Sequence, residues 1–105
     1  MLIFKSLMFA GMLAIPSPVV VSADESLRAD QLVTRVPLRE LMQAVEAGPG
    51  MQLAIGHPGG EAGTVRAERL RAALVALGLS SARIALVPQP LDEPVLIISL
   101  EKTAP

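Results

Sequence analysis

One unit constrains this chain more than any other. The apolar run Leu53-Ala54-Ile55 stops at the turn Gly56-His57-Pro58-Gly59-Gly60, and an amphipathic helix follows from about Gly63 to Leu77. A strand that feeds such a turn presents turn backbone to solvent, and sites often sit there. Within the helix Ala67, Leu70, Ala73, Leu74 and Leu77 recur at the three-to-four spacing of one buried face. Gly78 stands after them as a C-terminal cap.

The flanking pattern completes a small domain. Gln31 to Val36, with Leu32, Val33 and Val36, reads as a short strand, and Pro37 suits the first turn of a helix, where a missing N–H costs nothing. Leu38, Leu41, Met42 and Val45 then mark a buried helical stripe, which Gly48-Pro49-Gly50 ends. Gln52 to Gly56, Arg83 to Val87 and Val95 to Glu101 read as further strands, with Pro88 and Pro90 closing the second and Asp92-Glu93-Pro94 turning into the third. The predicted order is β-α-β-α-β-β. That is an α+β, two-layer sandwich with two helices on one face of a mixed sheet, spanning residues 31–105 after a flexible start at 24–30.

The N-terminus carries a separate message. Lys5 precedes the apolar stretch Leu7 to Ile15, Pro16 and Pro18 end it, and Val21-Ser22-Ala23 sets modest side chains at the positions before a cut. This is the layout of a secretory signal peptide, residues 1–23, removed before Asp24. The stretch is shorter than the roughly 20 apolar residues of a spanning helix. The expectation is therefore a periplasmic protein with no membrane insertion after cleavage. The chain has no cysteine, so disulfides, thiolate ligands and lipid attachment at a cysteine are excluded. Its only aromatic residues, Phe4 and Phe9, lie in the leader, which leaves no platform for stacking bases or sugars. Nine Lys and Arg against ten acids give no basic footprint for nucleic acid.

Few residues suggest chemistry. The Gly56–Gly63 turn could cradle a phosphate, but Gly63-Thr64-Val65 stands where a phosphate loop ends in Gly-Lys-Ser/Thr, so a tight turn is the plainer reading. His57 is the only histidine and lacks the companions of a metal ligand or a general base, which predicts a protein without metal, cofactor or enzymatic activity. Arg66, one turn into the helix, could hold a carboxylate in a forked hydrogen bond. With His57 and Glu61 it makes the candidate ligand-binding set. Ala72, Val75 and Ala76 leave the helix's outer face smooth and form a candidate protein interface.

Two resemblances rest on the same stretch. Gly56-His57, Gly63, Arg66-Ala67, Leu70, Leu74, Gly78-Leu79 and Arg83-Ile84 resemble, in pieces, the GHTDxxG…RAxxVxxxLxxxGIxxxRI pattern of the OmpA-like peptidoglycan-binding domain. That resemblance implies the fold, and Arg66 as the residue gripping the diaminopimelate of a cell-wall peptide. The family's aspartate falls on Gly59, with Glu61 the nearest acid. Pro58-Gly59-Gly60-Glu61-Ala62-Gly63, Ala67-Glu68-Arg69-Leu70-Arg71 and Leu74-Val75-Ala76-Leu77-Gly78-Leu79 are similar to a pattern in small exported accessory proteins of integrating conjugative elements. This second resemblance implies a partner in the cell envelope or the conjugation apparatus. Intact mass of protein recovered from the periplasm is expected to show a chain beginning at Asp24; full-length protein in the membrane fraction would contradict export and cleavage.

Overall fold

The computed structural model describes residues 16–22, 25 and 27–103. Its elements, in chain order, are β1 (Val19–Ser22), the single turn α1 (Ala29–Leu32), α2 (Val36–Ala47), β2 (Met51–Pro58), α3 (Glu61–Ala76), a 3-10 turn (Ser81–Arg83), β3 (Ile84–Gln89) and β4 (Val95–Lys102). The strands make one sheet in the order β1-β4-β2-β3. β2 and β3 run parallel, and β4 is antiparallel to both β2 and β1. The class is α+β in two layers, as the pattern predicts.

The register explains the core. Val19 lies opposite Ile98, Ile98 opposite Ile55 and Ile55 opposite Leu86, giving one row of branched side chains across all four strands. Val21 beside Leu96 extends that face at one end, and Leu100, Leu53 and Ile84 extend it at the other. Leu38, Leu41 and Val45 of α2 and Ala67, Leu70 and Leu74 of α3 close over it, all six with no exposed surface. Both helical stripes thus point where their periodicity places them. Burying a leucine or valine side chain is worth about 1.5–3 kcal/mol, and such burial must carry a domain that has no covalent staple.

Three glycines have distinct stereochemical duties. Gly78, at φ +111, ends α3 in the left-handed region. Its N–H reaches Val75 O at 2.9 Å and the Leu79 N–H reaches Leu74 O at 3.1 Å, so two terminal carbonyls of the helix are satisfied. Gly60, at φ +96, starts the same helix, which therefore begins at Glu61, two residues before the expected Gly63. Gly63 lets the helix approach the sheet: a Cβ there would sit 2.1 Å from Pro58 O.

The first strand is not where the pattern put it. Gln31 to Val36 does not form a strand; α1 is followed by a turn in which the Thr34 hydroxyl donates to Gln31 O at 2.7 Å. The spacing of Leu32, Val33 and Val36 fits a helical turn as well as a strand, and only Leu32 is buried, with Val33 and Val36 exposed. The strand is instead Val19–Ser22, inside the segment expected to lie outside the fold. The stretch expected to be a flexible start also contributes: Leu27 and Ala29 pack on the core. The Leu7–Ile15 stretch and the Ala23–Asp24 bond, on which the expected leader rests, lie outside the described residues. Leu74→Ala is expected to cost about 2–5 kcal/mol and Gly63→Ala about 1–3 kcal/mol in urea unfolding. Gly59→Ala, with open space around it, should stay within about 0.5 kcal/mol.

Candidate functional site

The carboxyl end of β2, the start of α3 and the loop between β3 and β4 meet around a cleft of about 280 Å³. Pro58, Gly59, Ala62 and Gly63 form its base, Arg66 one wall, and Leu91, Asp92, Glu93 and Pro94 the other. The glycine turn explains the hollow: Gly59 carries no side chain to fill it, and Gly63 holds the helix against Pro58. One cation and two carboxylates thus line a single small depression. Such an arrangement suits a ligand carrying both charges, because each pole meets its opposite.

Of the candidate ligand-binding set, only Arg66 lines this cleft, beside Pro58, Gly59 and Gly63 of the glycine turn. His57, near the end of β2, is buried at 4% exposed, and its Nδ1–H donates to Pro58 O at 2.9 Å. Glu61 is exposed at the first position of α3 and does not line the cleft. The set His57, Glu61 and Arg66 is therefore not brought together. The acids that do face the cleft, Asp92 and Glu93, read in the sequence only as a turn. Their signal was the placement of Asp92-Glu93-Pro94 between two strands, but its position beside the β2 turn depends on the parallel pairing of β2 with β3, which no local pattern reveals.

Arg66 also has a structural engagement. Its Nη2 donates to Ser22 O at 2.8 Å, tying α3 to the end of β1. Two other side chains grip the same outer edge of that strand. Arg35 donates from Nη2 to Val20 O at 3.4 Å and from Nη1 to Glu25 at 2.9 Å, and the other oxygen of Glu25 accepts the Ser22 N–H at 2.6 Å. The Ser22 amide, opposed by partial burial and aided by the Arg35 and Arg66 guanidinium charges, holds the Glu25 carboxyl below the ordinary glutamate range. A second hollow lies beside this clasp, lined by Glu25, Leu27, Arg28, Arg66 and Arg69.

Arg83 shows a similar use of guanidinium at the far end of the sheet. It donates to Gly48 O and, at 2.7 Å, to Met51 O, fixing the turn that joins α2 to β2. On the outer side of α3, Ala72, Val75 and Ala76 are exposed, and Val65 joins them; Val75 is 41% exposed and Val65 39%. Among the described residues no three His, Cys, Asp or Glu side chains gather as metal ligands, and no helix is long and apolar enough to cross a membrane.

The clasp predicts a pH dependence. A carboxyl whose folded value is lowered stabilises the fold above its unfolded value, and that contribution is lost as pH falls through the folded one. For the chain retaining residues 16–22, urea midpoints should fall as pH drops below the ordinary glutamate range, and Glu25→Gln should flatten part of that fall. Identical pH profiles for the two proteins would show that Glu25 holds nothing. Compared with known families, curated proteins and solved structures, the chain matches no family model, and no significant relative or structural neighbour is found.

Proposed function

We propose that this chain is a non-enzymatic, exported accessory protein that binds another protein of an envelope or conjugative-transfer machine. The observation that carries the reading is the outer face of α3. Val65, Ala72, Val75 and Ala76 stand exposed along it. Small and β-branched side chains lose little rotamer freedom on binding and let another backbone come close. Glu68 and Arg69, exposed on the same face between Val65 and Ala72, add charges that a partner's surface must match.

The test separates contact from folding. Ala72→Glu and Ala76→Arg change exposed positions, so melting temperature and periplasmic level should hold. In cells carrying the cognate mobile element, complementation of a deletion by either variant is expected to restore transfer about tenfold less well than wild type, the loss expected of about 1.4 kcal/mol of binding. Full complementation by both variants would sink the helix-face interface.

A second reading, binding of a cell-wall peptide, is favoured by one observation: Asp92 and Glu93 stand round the same cleft as Arg66. They offer an ammonium partner that the Gly59 position lacks, while Arg66 offers the carboxylate partner. Co-sedimentation with purified peptidoglycan decides between the two. Retention that the double variant Asp92→Asn, Glu93→Gln abolishes supports cell-wall binding; no retention by wild type leaves protein binding as the reading.

A further inference from the structure

We infer that the outer edge of β4 is a strand-receiving site, filled in the precursor by this chain's own Val19–Ser22 and opened for a partner's extended segment when the leader is removed. The inference rests on the export reading, which places the cut at the Ala23–Asp24 bond, one residue beyond β1. Signal-peptide hydrolysis adds water across that bond and leaves an Ala23 carboxylate and an Asp24 amine. From then on β1 is a separate peptide, held only by its own contacts and without the effective concentration of a tethered segment.

What the strand leaves behind is a formed site. Val95, Leu96, Ile97 and Ile98 lose their antiparallel partners. Val19 and Val21, buried in the core, vacate two seats beside Ile98 and Leu96. The domain retains Glu25, Arg35 and Arg66, the side chains that grip the incoming strand's far edge through the Ser22 N–H, Val20 O and Ser22 O. An unpaired strand edge of this kind is a template for another strand. Its chemistry defines the occupant: an extended segment running antiparallel to β4 and presenting β-branched apolar side chains at two alternate positions. Peptide carbonyls and amides of that segment meet the three polar side chains, so recognition of its outer edge needs no particular sequence there.

The experiment uses the processed protein as the cell makes it. Intact mass first establishes whether the chain begins at Asp24. It is then titrated with a synthetic peptide of residues 16–23 and, separately, with the same peptide carrying Val19→Asp and Val21→Asp. Saturable binding of the first, amide shifts along Val95–Ile98 and about tenfold or greater weakening for the second are expected. The unprocessed chain should bind the first peptide at least about tenfold more weakly, because its own strand competes. If the processed chain is unfolded alone, restoration of its circular dichroism by the first peptide supports the site. A processed chain, folded or not, that ignores the first peptide or treats both alike overturns it. A mass that retains residues 16–22 overturns the export reading itself and leaves β1 as a permanent strand, an outcome read before any titration.

Discussion

β4 carries backbone hydrogen-bonding groups along both of its edges, and a buried peptide group left without a partner costs about 1–3 kcal/mol. One edge is met by β2, which runs through the middle of the sheet and is buried from Leu53 to His57. The other is met by β1, a strand of four residues. So short a strand closes few ladder bonds, yet Val19 and Val21 sit in the core and three side chains bind the strand from its outer side. The sheet's order, the packing of the row Val19–Ile98–Ile55–Leu86 and the engagement of Arg66 all depend on that edge being filled.

Arg66 joins two regions that the sequence keeps far apart. From α3 it reaches the carbonyl of Ser22, and it also walls the cleft between the β2 turn and the β3–β4 loop. The edge of β4 and the cleft therefore share one guanidinium, and an occupant of either acts on the same side chain. The glycines nearby need no ligand to account for them. Gly63 is required by the 2.1 Å clearance to Pro58 O and Gly60 by its positive φ, while at Gly56 the Gln89 side chain lies where a Cβ would stand.

The parts that local pattern determines were legible: the stripes of α2 and α3, the cap at Gly78, and β2, β3 and β4 to within a few residues. Each follows from short-range periodicity or from turn stereochemistry. β1 was not legible, because the same Val-Val-Val-Ser that pairs with β4 also satisfies the flank of a signal cleavage site. Alternation over four residues carries no information on which role applies. The stretch from Gln31 to Val36 failed for a related reason, since Leu32, Val33 and Val36 satisfy both a strand and a helical turn until burial distinguishes them. The cleft was half legible: the Gly turn and Arg66 were visible, but Asp92 and Glu93 reach them only through a parallel pairing of β2 with β3 whose partners lie 31 residues apart.

The seating of β1 on β4 is accessible to one direct measurement, native hydrogen exchange on the chain that retains residues 16–22. Side chains bind Val20 O and the Ser22 N–H and carbonyl from outside, so the alternation of an antiparallel ladder turns Val19 and Val21 towards β4. The Val19 and Val21 amides are predicted to exchange as slowly as those of the β4 residues opposite them, and the Val20 amide faster. Exchange of all three at the rate of an unstructured peptide, beside a protected β4, would contradict it.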